Sequence, residues 1–469
     1  MSSLFGIGAS SSRGFYPETI DQSLRFEEGD TPYLERTFVT PSSTRKLIVA
    51  TWIKPSELGD ETPIMYSAPT SATTSYFLMG FAQDGFISSD DSFKFFTVEG
   101  NSAKIALRTS ALFRDPSQWM HVCVAVDTTQ ATSTDRVIFF NGKRYTGTYS
   151  TYNTFPSQNH DFTVMNSAIK HRIGATSNGL HANYGNLQGY LSEFYFVDGQ
   201  SMFSDTSGTI NSTFLADANT LATFCEQKNG VAVPKAYSGT FGNNGCRLTF
   251  EATGTGTTSQ GTTAQTNIGD DQSGEGHNFS VNGLTSTDVV LDSPTNNFCT
   301  LNPLNANDNR GEASFSEGNL RITSTSALRG FSTGTFKLTG KHYFEVYYNS
   351  DNSGFIGIND INNNAGGNSS GQSIHILDGT VRIDGSASSS VTSLSSGDVI
   401  GVEVDIDAKT IEFFKNGVSV SDNTYTTDAE YFPFIYDSSG GREMDLIANF
   451  GQDASFAGEK TSQGNSDSN

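Results

Sequence analysis

Residues 189–199, GYLSEFYFVDG, constrain the fold of this chain more than any other stretch. A glycine opens the run and an Asp-Gly turn closes it. Alternation places Leu191, Tyr195 and Val197 on one face of a strand and Tyr190, Phe194 and Phe196 on the other. A strand that is apolar on both faces needs a layer over each. In a two-sheet sandwich a central strand has one face in the core, and long loops crossing outside the sheet cover the other. The composition agrees: 35 Phe and 17 Tyr stand against 2 Trp, with 47 Gly to break the chain into turns. An aromatic core punctuated by glycine is an all-β pattern. No window shows apolar residues at a 3.6-residue spacing.

Two segments repeat one plan. HVCVAVDTTQATSTDRVIFFNGKRY (121–145) and VIGVEVDIDAKTIEFFKNGVSV (399–420) each run from a valine ladder to an Asp (Asp127, Asp405). A polar turn, a strand ending Phe-Phe and an Asn-Gly follow in both, and Asn-Gly favours a type I′ hairpin. The chain therefore reads as all-β, two antiparallel β-sandwiches (jelly rolls) joined by a polar Gly/Thr/Ser-rich segment. Strands are expected near 23–26, 47–53, 76–81, 93–98, 104–109, 119–127, 136–140, 189–197 and 247–250 in the first sandwich. In the second they are expected near 319–324, 342–348, 354–359, 381–384, 398–405, 410–415, 431–436 and 445–450. The domain reading is an N-terminal anchoring peptide (1–18), a first sandwich (19–252), a polar excursion and linker (253–303), a second sandwich (304–455) and a mobile tail (456–469). The linker assignment rests on composition: no Lys or Arg occurs from Leu248 to Asn309, and residues 251–279 are mostly Gly, Thr, Ser and Gln.

A formal net charge of −22 and a pI near 4.6 oppose binding to a nucleic-acid backbone. Cys123, Cys225, Cys246 and Cys299 are far apart and lack metal-ligand spacing, and Cys123 reads as a core thiol. No signal peptide or membrane-spanning run is present, so the chain is expected to be made and assembled in a cytoplasm, without membrane insertion. No cofactor and no metal are expected.

Three motifs suggest chemistry. Glu403, Asp405 and Asp407 share one strand face, as the nucleophile and acid–base carboxylates of some glucanases do. The alternate face, Val402, Val404 and Ile406, reads as core and makes a strand exterior the better reading. Gly367-Asn368-Ser369-Ser370-Gly371 matches Gly-x-Ser-x-Gly without the flanking strand and helix of a nucleophile elbow. Asp360-Ile361-Asn362-Asn363-Asn364 begins like a calcium loop, but Ala365 and Gly371 occupy its glycine and glutamate positions. Asp90-Asp91 and Asp270-Asp271 read as solvated acidic turns, and His121 and His342 as structural. The chain is expected not to be an enzyme.

A longer set of segments resembles a known module. SLRF (23–26), YLERTF (33–38), ATWIKPS (50–56), ALFRDPSQWMHVCVAVDTTQATSTDRV (111–137), NGKRY (141–145), GYLSEFYFVDG, KAYSGTFGNNGCRL (235–248) and IGDDQSGEGHNF (268–279) resemble, in order, a laminin-G-like, concanavalin-like module of marine bacteriophage virion proteins. DSPTNNFCTLNP (292–303) resembles the joint that follows it there. KHYFEVYYN (341–349), SGDVIGVEVDIDAKTIEFFKNG (396–417) and NFGQ (449–452) resemble a SPRY domain. The resemblance implies a virion structural protein, a tail-fibre component that contacts a host-surface glycan or protein receptor. Other virion proteins are its implied partners, and a homo-oligomer, a trimer among the forms, is expected. Capsid decoration is the alternative, and a polysaccharide-cleaving hydrolase a remote one. Lectin-like sandwiches hold sugars on loop amides, carboxylates and an aromatic ring. The segment 148–161 offers Tyr149, Tyr152, Phe155, Asn159 and Asp161, and the Asn-rich loop at 360–371 offers Asp360, Asn362 and Asn364.

Overall fold

The computed structural model describes residues 15–60, 62–69, 74–81, 91–176, 185–202, 224–305, 313–324, 330–349, 354–360, 373–377, 379–383, 386–437 and 443–462. These fall into two compact units that divide between Asn296 and Asn297. Each is a pair of antiparallel sheets around its own core, so the fold is all-β, as the composition and strand pattern indicate.

In the first unit one sheet runs β10 (Lys143–Arg144), β9 (Val137–Asn141), β8 (Met120–Asp127), β3 (Lys46–Pro55), β13 (Gly189–Asp198), β1 (Ser23–Phe26), β18 (Val289–Val290), and β16 (Cys246–Leu248) pairs the second half of β13. The facing sheet runs β11 (Tyr149–Thr154), β7 (Ser102–Leu112), β6 (Ser92–Glu99), β5 (Tyr76–Phe81), β4 (Thr62–Ser67), β12 (Lys170–Ile173), β2 (Tyr33–Thr37), β17 (Ser280–Asn282). A separate hairpin joins β14 (Cys225–Lys228) to β15 (Val231–Pro234).

Strand β13 is buried along its whole length, as its sequence requires. Its faces, however, are not those of simple alternation. The pairing with β3 slips by one residue between Ser192 and Tyr195, and Glu193 sits there with φ of 51°. This β-bulge reverses the parity of the strand. Leu191 consequently joins Phe194 and Phe196 in the inter-sheet core, while Tyr195 and Val197 face outward under Met202, Phe224, Tyr237 and Phe241. The outer cover is made of the crossing segment, as expected, but Leu191 lies on the face opposite to the expected one.

In the second unit one sheet runs β19 (Ser314–Ser316), β20 (Arg321–Ser324), β31 (Met444–Asn449), β22 (Lys341–Tyr348), β27 (Val399–Asp405), β28 (Thr410–Lys415), β29 (Val418–Thr424). The other runs β21 (Phe331–Thr333), β30 (Tyr431–Asp437), β23 (Gly354–Asp360), β24 (Ser373–Leu377), β25 (Thr380–Ile383), β26 (Ser386–Ser390). The two repeated segments occupy equivalent places. β8–β9 and β27–β28 each lie next to one margin of their sheet, followed by the strand after the Asn-Gly.

Three boundary expectations change. The polar segment at 253–303 is not a detached linker: Ile268, Phe279, Leu284 and Val290 are buried in the first unit, and β17 and β18 pair β2 and β1. Backbone pairing and buried carboxylates add to these few apolar anchors. The tail does not start free at 456 either. Phe456 is buried, its ring 5.8 Å from that of Tyr347, and Lys460 lies over Tyr347. The end of the 1–18 peptide is part of the first unit, where Glu18 pairs Arg247 at 2.6 Å and Lys228 donates to the carbonyl of Phe15.

Candidate functional site

The two Asn-Gly turns diverge, and a pocket follows from the difference. Asn416 and Gly417 both have positive φ, as a type I′ turn needs, and β29 continues along β28 from Lys415↔Val418 to Thr410↔Thr424. In the first unit only Gly142 of the pair has positive φ. A Cβ on Gly142 would meet that of Ala232 at 2.8 Å, so the β14–β15 hairpin needs a glycine there. β10 then pairs β9 through Lys143 and Arg144 alone before the chain leaves for the other sheet. The margin is left open between β9, which β10 covers over only two residues, and β11, the edge strand of the facing sheet.

A cavity of about 590 Å³ occupies this seam. Phe139, Tyr145, Tyr149 and Phe155 supply its rings, and Thr134, Thr146, Thr148, Asn153 and Arg144 its polar groups. The rings form a chain of contacts, tilted from Phe139 to Tyr145 at 5.6 Å, then edge-on from Tyr145 to Tyr149 at 5.7 Å and from Tyr149 to Phe155 at 5.8 Å with planes 82° apart. Phe139 is itself stacked on Phe93 of the core at 4.2 Å, so the aromatic wall stands on the packed interior.

Each lining group has a local reason for its position. The Tyr145 hydroxyl donates to the Thr148 carbonyl at 2.8 Å, which closes the turn at 145–148. Thr148 donates to Ser110 of β7. Arg136 donates to the carbonyls of Gln130, Ala131 and Pro156, drawing two loops together and setting Phe155 at the rim. Burial pushes the Tyr149 phenol up to about 12, with Tyr145 adding to the shift, so it stays a neutral hydroxyl at physiological pH.

Of the eight residues read from the sequence, the structure brings Tyr149 and Phe155 together here. Tyr152 lies on the opposite side of β11, its ring 5.3 Å from Phe96 on the outer face of the sheet. Asn159 takes a left-handed turn (φ 57°) and donates its backbone N–H to Thr128. Asp161 accepts from Thr44 and from Arg45 at 2.8 and 2.7 Å, and these bonds lower its carboxyl to about 2. It is a loop fastener away from the seam. Asp360 is buried at the end of β23, and Asn362 and Asn364 lie outside the described residues, as does 367–371. Phe139, Arg144, Tyr145 and Asn153 were missed. The alternation of aromatic and hydroxyl residues in NGKRYTGTYSTYNTF was the available signal.

The remaining motifs are placed as follows. Val402 and Val404 are buried and Glu403 is exposed, while Asp405 accepts from the N–H groups of Asp407 and Ala408 and pairs with Lys341. Asp270 and Asp271 are buried, not solvated: Asp271 accepts from the backbones of Arg247, Ser273 and His277, and Asp270 from Thr266 and Asn267. Asp91 is likewise buried, pairing Arg114 and capping Gly59, and Asp90 lies outside the described residues. No group of three or more His, Cys, Asp or Glu among the described residues could hold a metal ion. No described helix is long and apolar enough to cross a membrane.

Comparison with known proteins agrees with these two units. Residues 29–200 match the concanavalin A-like lectin/glucanase superfamily in its laminin-G form, and residues 341–452 match the SPRY domain. No curated protein matches the chain. Among solved structures, the SPRY domain of human HERC1 is 18% identical, covering 32% of this chain and 96% of that one, at a TM-score of 0.28. The TRIM65 PSpry domain is 16% identical over 32% of this chain and 91% of that one, at 0.27. The heptameric SAP-like pentraxin of Limulus polyphemus is 14% identical over 49% and 94%, at 0.29. The chain carries a laminin-G-like concanavalin-type domain followed by a SPRY domain.

Proposed function

We propose that this is a non-catalytic binding protein whose first domain holds a sugar in the seam between β9 and β11. The observation that carries the reading is the pocket itself. A rigid aromatic wall offers an apolar surface to a pyranose face, and threonine hydroxyls, an amide and a guanidinium stand around it for the sugar hydroxyls. A cavity of about 590 Å³ falls within the size range of small-molecule sites. The resemblance to phage virion proteins supports the wider setting: a virion structural protein, made in the host cytoplasm and carried in a tail fibre as a homo-oligomer, with the pocket facing a host-surface glycan. A wall already fixed by core packing and loop hydrogen bonds loses little freedom on binding, which favours affinity.

A glycan array probed with the intact protein, followed by calorimetry on the hits, tests this. Tyr149→Ala and Phe155→Ala should each weaken binding at least about tenfold, roughly 1.4 kcal/mol. Tyr152→Ala, on the far side of the same strand, should leave it unchanged. Equal loss from Tyr152→Ala, or binding that survives Tyr149→Ala, places the sugar elsewhere.

A further inference from the structure

Arg144 is the one ionic residue among those lining the seam pocket. It is the last residue of the two-residue β10, paired in register with Phe140, so the backbone sets where its side chain starts. Its guanidinium has five N–H donors. A single contact uses them: Nη2 donates to Asp135 Oδ1 at 3.0 Å. Among the described residues the other four donors have no acceptor. The neighbouring Arg136 is different, because Nε, Nη1 and Nη2 are all taken by backbone carbonyls. One arginine therefore holds the wall, and the other is left available beside it.

We infer that the pocket selects a sugar bearing a carboxylate, a hexuronate, which Arg144 grips with two parallel N–H donors while the apolar ring face lies on Tyr149 and Phe155. The inference rests on the sugar reading of the pocket. The geometry argues for it in three ways. A planar guanidinium with a free fork matches a carboxylate bidentately, whereas a sugar hydroxyl engages one donor at a time. Asp135 lies outside the lining and holds Arg144 by one oxygen, so it competes for one donor and leaves the rest of the fork open. Both partners of that pair are partly exposed, at 36% and 25% of their side-chain surface, so the bond to Asp135 is weak and yields to a second carboxylate. The chain's net charge of −22 repels an anion at long range. At physiological salt that field is screened beyond about 8 Å, so the charges at the pocket decide.

The test measures binding of the full chain to tri-galacturonate, tri-mannuronate and tri-guluronate, and to the methyl ester of each, which keeps the skeleton and removes the charge. At least one free acid should bind at least about tenfold more tightly than its ester. Arg144→Gln should erase that preference by weakening the acid far more than the ester, while Arg144→Lys should retain part of it, with the charge but without the fork. Asp135→Asn should tighten binding of the acid several-fold and leave the ester unchanged, because it removes the competing carboxylate. If acid and ester bind equally, or Arg144→Gln weakens both alike, the inference is overturned while the pocket still binds sugar through Tyr149. If the glycan array and all six probes give no binding, the sugar reading and the inference fall together.

Discussion

His375 of β24 is fully buried in the second domain, its ring 4.5 Å from Phe355 and edge-on to it. Among the described residues neither ring nitrogen has a hydrogen-bond partner, and Arg382 lies directly opposite on β25. Burial first, and the Arg382 charge second, push its pKa down to about 3, so the folded domain keeps it neutral. The unfolded chain protonates it near 6.5. Stability on this account is fully present above pH 6.5 and is lost as pH falls from there towards 3. His375→Phe keeps the aromatic packing and removes the proton site. It should therefore flatten the fall in melting temperature of the second domain between pH 7 and pH 4, with little change at pH 7. An acid slope unaltered by the substitution would place the acid sensitivity elsewhere. None of this was visible in the sequence, where His375 stands in an ordinary alternating strand; the aromatic residues around it come from β21, β23 and β30.

At the level of elements, the same hairpin gives two outcomes. β29 runs the length of β28, and its Ser421 and Asn423 bond Ser389 and Ser388 of β26, closing the seam of the second sandwich with polar side chains. β10 stops after two residues, and the corresponding seam of the first sandwich stays open. Arg136 is what keeps the open seam in shape. Arg136→Ala removes three hydrogen bonds from a charged donor, each worth about 1.5–3 kcal/mol at most and less where exposed. Backbone amides of 128–131 and 156–160 should exchange faster with deuterium, and sugar binding should weaken in parallel, while the strands of the core keep their protection. Unchanged exchange at 156–160 would show that Glu99 and Arg45, which fasten 160–163, suffice alone. The strands themselves were legible: 76–81 and 410–415 match the observed bounds, because alternation, flanking glycine and turn residues are local. β2, β4, β11, β12, β17, β24, β26 and β29 were not, nor were β10, β14, β15, β18, β19 and β21. Most are short or polar, and their partners in the sheet make them strands.

On the scale of the whole molecule, the first domain closes on itself through its two ends. β18 pairs β1, Ile20 donates to Thr295, Arg25 pairs Asp288, and Lys54 is bonded to Asp292 at 2.7 Å with both side chains wholly buried. Trp119 donates to the other oxygen of Asp292. A fragment ending at 252 leaves the Lys54 ammonium without that carboxylate, a loss of about 3–5 kcal/mol when a buried pair is broken, and exposes the edges of β1 and β2. The fragment 15–296 should unfold cooperatively in urea, and 15–252 should not reach a folded baseline. A cooperative transition for 15–252 with the same midpoint would show that the polar segment adds nothing.

The sequence by itself determined that this chain is all-β and that it holds two sandwiches with a repeated hairpin, and it singled out Tyr149 and Phe155, which the fold sets in one pocket lining. Those properties depend on periodicity, turn chemistry and residue type, which act over a few residues. Only the tertiary structure decided the bulge at Glu193 that reverses β13, the attachment of 268–290 to the first core, and the opening of one seam against the closing of the other. Each depends on which distant segment packs beside a given backbone: β3 against β13, β1 and β2 against a glycine-rich stretch, and the β14–β15 hairpin against Gly142. Such contacts join residues tens to hundreds of positions apart, and no local pattern records them.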